Sequence, residues 1–275
     1  MATFGLFLPH REDPVAAARH AEELGLDMVT ISDHLHGART WEPWTVLTWI
    51  AASTSRVRVS PNVLGLPYRH PAVTAKMVET LHRLSEGRVV LGIGAGGSDA
   101  EFEAFGVPVR SPGEKVDAFE EALRIIRGLW EEETFSFRGE HYAVEEARIE
   151  PRPGHIPIWI GAYGDRMIEL TGRYADGWLP SLMYVSLDRA ARKMERLRAA
   201  AEAAGRDPGE ITMALNVWAR IEVGAEPRRG QIAGGVGRMV EEISGVLEAG
   251  FDHLNFTVSG QEQRAILAEE VLPEL

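Results

Sequence analysis

Short apolar runs alternate with amphipathic stretches from one end of this chain to the other, and that alternation predicts most of its architecture. Residues 4–8 read as a buried strand closed by Pro9. Asp13 and Pro14 then open a helix as N-cap and first helical residue, and Gly25 stands where that helix should end. The β-branched run Val29-Thr30-Ile31 gives a second strand that stops in Ser32-Asp33-His34. Helix 44–52 follows, then an alternating strand over 56–64, helix 71–84 and a fourth strand over 88–93 that is apolar on both faces. Val116, Phe119, Leu123, Ile126, Leu129 and Trp130 mark a helical stripe over 115–130. The period drops to two over 134–149, about a turn at Arg138-Gly139, which predicts a small β-hairpin inserted before strand five. Strand 156–160, helix 165–174, strand 176–180, helix 187–204, strand 211–218, helix 236–249, strand 251–258 and helix 261–270 complete the pattern.

Strict alternation of strand and helix implies parallel strands, and eight such units close into a (β/α)8 TIM barrel rather than an open doubly wound sheet. No composition shift or linker-like tract interrupts the 275 residues. A single domain over 1–275 is therefore expected, since such barrels commonly run to about 250 residues.

Charge and composition remove several classes of function. With 29 basic against 41 acidic residues the net charge is −12, which argues against nucleic acid or an anionic membrane as partner. An anionic ligand would need a local basic patch. The absence of cysteine removes disulfides and thiolate chemistry. The amino terminus lacks the basic start and long apolar core of a signal peptide, and the longest apolar runs are too short to span a bilayer. A cytoplasmic location is expected.

The chemistry is expected at the carboxyl ends of the strands, where a rigid strand meets a loop that opens onto the ligand. Asp33 and His34 stand at such an end, with Trp41 and Trp44 nearby as flat stacking surface. The plain alternative is a capping Asp and a His satisfied by a backbone carbonyl. The stretch Gly92-Ile93-Gly94-Ala95-Gly96-Gly97 does not have the spacing of a dinucleotide fingerprint, but glycines at a barrel mouth let backbone approach a flat ligand closely. The alternative there is a tight turn. Gly161-Ala162-Tyr163-Gly164-Asp165-Arg166 opens a helix, and reads equally well as an anion site or as an ordinary glycine turn with Asp165 as cap. His36, His70, His82, His141 and His253 have no metal-ligand spacing, so a metal site is not expected. No G-x-S-x-G elbow is present, and Glu131-Glu132-Glu133 reads as a solvated helix end. The Arg228-Arg229 pair in the loop 220–235 reads as solvated, with attraction of an acidic cofactor tail as the other account.

Taken together, Ser32-Asp33-His34, His70-Pro71-Ala72, Leu84-Ser85-Glu86-Gly87-Arg88, Pro157-Ile158-Trp159-Ile160-Gly161 and Gly250-Phe251-Asp252-His253-Leu254 resemble the bacterial luciferase-like flavin and deazaflavin oxidoreductases over essentially the whole chain. The likeness is strongest to the branch that uses coenzyme F420. It implies an oxidoreductase that moves a hydride between the deazaflavin and a small organic substrate, with an FMN-dependent monooxygenase or a catalytically silent flavin-binding barrel as alternatives. By resemblance, Asp33 and His34 are catalytic and face the deazaflavin: His34 exchanges a proton with substrate, and Asp33 orients the imidazole or bonds the polar edge of the ring. Asn62-Val63 matches a non-proline cis peptide behind the ring. Ala95 and Gly96 belong to the cofactor wall, and Ala162, Tyr163, Asp165 and Arg166 lie toward the ribityl phosphate. Where the F420-dependent sugar-phosphate dehydrogenases carry a catalytic glutamate, this chain has Gly97; Glu101 or Asp99 could reach the site, but neither matches that position. A homodimer is expected, as in most relatives.

Overall fold

The structure is a computed structural model that describes residues 2–8, 12–35 and 41–275. His36 and Pro9 therefore lie outside the described residues. Parallel strands β1 (Thr3–Phe7), β2 (Met28–Ile31), β3 (Arg58–Pro61), β4 (Leu64–Gly65), β5 (Leu91–Gly94), β8 (Ile158–Ile160), β9 (Gly177–Trp178), β10 (Thr212–Ile221) and β12 (His253–Thr257) form the wall of the barrel. Val59 N–H donates to the Arg88 carbonyl at 2.9 Å and Val90 N–H to the Val59 carbonyl at 3.1 Å, which joins β3 to the approach of β5 and closes the ring. Helices α1 (Pro14–Glu23), α2 (Pro43–Ser53), α3 (Pro71–Leu84), α5 (Pro112–Glu131), α6 (Asp165–Tyr174), α7 (Leu187–Ala203) and α8 (Val236–Glu248) cover its outside. Asp13 caps α1 through the Val15 and Ala16 amides, and Gly25 follows it with φ 78°, where a side chain would be strained. Between α5 and β8, strands β6 (Phe135–Arg138) and β7 (Ala143–Ala147) pair antiparallel.

The pattern and the structure differ at four places. The strand expected over 56–64 is broken: β3 pairs with β2, β4 pairs with β5, and Asn62-Val63 crosses between them through a cis peptide bond. A short helix, α4 (Asp99–Ala104), follows β5 where polar residues gave no clear period. Finally, β10 runs to Ile221 and pairs in parallel with β11 (Gln231–Gly234) inside the expected loop. The last helix also changes: α9 (Gln261–Ile266) passes into a π turn over Leu267–Val271.

Two apolar layers hold the fold. Val29, Ile31, Leu91, Ile93, Ile158, Ile160, Leu215 and Phe256 point outward into the helices, while Met28, Val90, Trp159, Leu179 and Ala214 form a smaller cluster within the ring. Side chains two apart on a strand share a face. The inward set therefore continues upward from Met28 to Thr30, from Val90 to Gly92 and Gly94, and from Ala214 to Asn216.

Candidate active site

Because the strands are parallel, their carboxyl ends share one rim, and residues distant in sequence meet there. Asp33 and His34 arrive on β2, Asn62 and Val63 between β3 and β4, Ala95 and Gly96 after β5, and Ala162, Tyr163, Asp165 and Arg166 after β8.

Beneath the rim lies a polar layer. Asn62 Nδ2 donates to Asn216 Oδ1 at 2.6 Å and to Thr30 Oγ1 at 3.2 Å; Asn255 Nδ2 donates to the same two oxygens at 2.8 and 2.9 Å. Asn216 Nδ2 returns a bond to Asn62 Oδ1 at 3.1 Å. These amides tie β2, β10 and β12 to the cis peptide and fix its position across the ring. Each amide nitrogen of the layer has an acceptor, which offsets the cost of burying it, while Asn255 Oδ1 is buried without a donor. The signal for this layer was present in sequence: Thr30 is the one polar residue of β2, and Asn216 and Asn255 each stand between two large apolar neighbours in β10 and β12.

The alternate glycines of β5 serve the same crossing. A Cβ on Gly92 would sit 2.0 Å from the Pro61 carbonyl oxygen, and one on Gly94 would meet Val63 Cγ2 at 2.8 Å. Protein atoms, rather than ligand, occupy those two spaces. Gly96 has φ 92° and backs onto Phe102, whereas nothing approaches Gly97 within 4 Å.

Asp33 is fully buried at the end of β2. Its Oδ2 accepts from Gly65 N–H at 2.9 Å and from Arg69 Nη1 at 2.7 Å, and Arg69 also pairs with Glu42. Burial alone would lower the Arg69 guanidinium, but the bonds to Asp33 and Glu42 outweigh it and raise it. Asp33 Oδ1 is sealed from solvent and has no hydrogen-bond partner. His34, by contrast, has a side chain 57% exposed, with Nδ1 2.9 Å from Glu101 Oε1. The Tyr68 hydroxyl donates to Glu101 Oε2 at 3.0 Å, and the Tyr68 ring meets Phe102 edge-on. Burial, reinforced by Glu101, raises the Tyr68 phenol well above its usual value, so it keeps its proton.

On the far side, α6 starts at Gly164 with no side-chain cap, leaving its first amides unclaimed by a cap. Asp165 and Arg166 face outward there: Asp165 pairs with Lys193 and Arg196 of α7, and Arg166 with Asp117 of α5 at 2.5 Å. Ala162 is buried and its carbonyl accepts from Trp178 Nε1. The Tyr163 hydroxyl accepts from Ser181 N–H, and burial pushes its phenol up to about 12 against that bond.

One expected contributor is elsewhere. Trp44 is buried in α2 and lines a groove between α2 and α3, so it offers no stacking surface at the rim. Its position in the helical stripe, packed with Leu47 and Ile50, explains this. Tyr68 and Arg69 were not singled out by pattern, because they lie 33 and 36 residues from Glu101 and Asp33, the groups they contact; of Glu101 and Asp99, the two carboxylates named as able to reach the site, Glu101 meets His34.

Comparison with known proteins finds relatives in both sequence and fold. The chain is 42% identical over 180 residues to the phthiodiolone/phenolphthiodiolone dimycocerosates ketoreductase of Mycobacterium tuberculosis, covering 63% of this chain and 46% of that enzyme. The chain thus spans under half the length of that curated relative. It is 30% identical to the F420-dependent glucose-6-phosphate dehydrogenase of Kineococcus radiotolerans, over 94% of this chain and 91% of the relative. In fold it matches an F420-dependent secondary alcohol dehydrogenase solved with an F420-acetone adduct, at TM-score 0.89 and 21% identity over 99% and 98% of the two chains. The family profile described as luciferase-like monooxygenase matches residues 4–229, and the chain belongs to that family.

Proposed function

We propose that this chain is an F420-dependent oxidoreductase that interconverts a small alcohol and its carbonyl compound. The observation that carries the reading is the 30% identity, along nearly the full length of both chains, to an F420-dependent dehydrogenase. The rim suits such a cofactor on three counts. Asp33 Oδ1 is a buried acceptor without a donor. The backbone at Gly97 is clear of side chains. The uncapped start of α6 offers amides to a phosphate. Asp33 and the Asn62-Val63 crossing would hold the ring, Ala95 and Gly96 its wall, and the stretch from Ala162 to Arg166 its phosphate arm.

When bound, the deazaflavin supplies the carbon that takes up or returns a hydride. The protein's part is the accompanying proton. His34, exposed at the rim, takes it from the substrate hydroxyl in oxidation and returns it to the carbonyl oxygen in reduction. Asp33 is not available for that task, because Arg69 and Gly65 hold its one partnered oxygen and no solvent reaches the other. Its role is to hold the end of β2 through Gly65 and Arg69, not to orient the imidazole, whose Nδ1 meets Glu101.

A cytoplasmic homodimer is the proposed working form. Among the described residues no helix is long and apolar enough to cross a membrane. Trp49, Val73 and Leu84 stand exposed around the α2 and α3 groove, which Trp44, Ala72, Met77 and Leu81 line. An exposed apolar face of this kind calls for cover, and a second copy supplies it.

Titration of the purified protein with F420 and with FMN tests the cofactor assignment. Saturable F420 binding with much weaker FMN binding is expected; tight FMN binding without F420 binding reverses it.

A further inference from the structure

We propose that Glu101 is the positioning residue of His34, fixing the imidazole with Nδ1–H toward the carboxylate and Nε2 free toward substrate. This rests on the reading of His34 as the proton-exchanging group. Three facts carry it. The Glu101 carboxylate is largely buried, at 13% exposure, while the imidazole it meets is open to the rim. A carboxylate only accepts, so the hydrogen across the 2.9 Å contact belongs to His34 Nδ1. Its second oxygen is taken by the Tyr68 hydroxyl, whose ring is held against Phe102, so the carboxylate cannot swing away without losing a bond.

The geometry also answers the position at Gly97. The chain carries no side chain there, but the next turn, α4, returns a carboxylate to the rim four residues later, onto the imidazole. During oxidation the substrate hydroxyl proton passes to Nε2, its carbon gives up the hydride, and the imidazolium formed keeps its Nδ1–H on Glu101. During reduction the same proton returns to the carbonyl oxygen. The charged groups around this pair are Asp33 beside His34, Arg69 beyond Asp33, and the Asp99–Lys115 pair at the start of α4.

The test has a spectroscopic and a kinetic arm. In the unloaded protein, selectively 15N-histidine-labelled and assigned with His34→Gln, the His34 ring should show the Nδ1–H tautomer. Glu101→Ala should abolish that preference while thermal unfolding stays cooperative, whereas Glu101→Gln, whose amide oxygen still accepts from Nδ1–H, should retain part of it. An Nε2–H ring in the native protein, or a tautomer unchanged in Glu101→Ala, overturns the proposal whatever substrate is used. With 2-propanol and F420 as probe pair, Glu101→Ala should lower turnover about 10- to 100-fold, the range for removing a partner that orients an active group, with F420 affinity little changed. In a His34→Ala background the same change should cost nothing further, because the two act as a unit. Additive losses overturn the positioning role alone. Full turnover in His34→Ala overturns the reading of His34 and this inference with it.

Discussion

At the scale of single residues, neighbouring glycines are expected to behave oppositely. Gly96→Ala places a Cβ 2.5 Å from Phe102 at φ 92° and should cost about 1–3 kcal/mol. Gly97→Ala enters open space and should stay within about 0.5 kcal/mol of the parent in urea unfolding. A second expectation concerns His253, buried against Trp159 and bonded to Thr3, where burial and then the Arg58 charge lower its value to about 3. Between pH 6.5 and 3 the unfolded chain binds a proton that the folded chain refuses. Stability is therefore full above pH 6.5 and falls with acid by up to about 1.4 kcal/mol per unit. His82, lowered by burial, adds in the same direction. Urea midpoints at pH 6.5 and pH 5 should differ in the parent and converge in part in His253→Gln.

At the scale of elements, one carboxylate clamps the start of a strand. Glu22 on α1 accepts from the amides of Ser55, Arg56 and Val57 at 2.6 to 3.1 Å, fixing the turn that leads into β3. Burial opposes its charge, but the bonds to Val57, Arg56 and Ser55 prevail and lower it, so the clamp is present above its unfolded value and weakens as pH falls below it. Glu22→Ala should destabilise by about 1–3 kcal/mol, read as a shift in urea midpoint at constant slope. None of this was legible in sequence, because the clamp joins residues more than thirty apart. What was legible came from local physics: caps at Asp13 and Pro14, the start of α3 at Pro71, and the strand end at Asp33-His34 all depend on adjacent residues. The broken third strand was not, since Asn62 and Val63 are held by Thr30, Asn216 and the space at Gly94 and Gly161, which pattern along the chain does not reveal. Glu101 was legible as a carboxylate within reach of the site, but its pairing with His34 and the Tyr68 hydroxyl behind it were not.

At the scale of the whole molecule, the expected dimer gives a sharp test. In a two-fold pair a substitution on the contact face acts twice, so Leu84→Glu or Trp49→Glu should shift the protein to monomers in light-scattering chromatography while circular dichroism is unchanged. The barrel itself is lopsided. β12 stops opposite Trp218, β9 ends at Trp178, and the last residues of β10 rise past both, buttressed by β11. The chain after β9 follows it upward, Ser181 pairing with Asn216 and Leu182 N–H donating to the Asn216 carbonyl. The upper backbone of β10 is thus already engaged on both sides, so a molecule resting against that flank must be recognised by side chains rather than by the main chain.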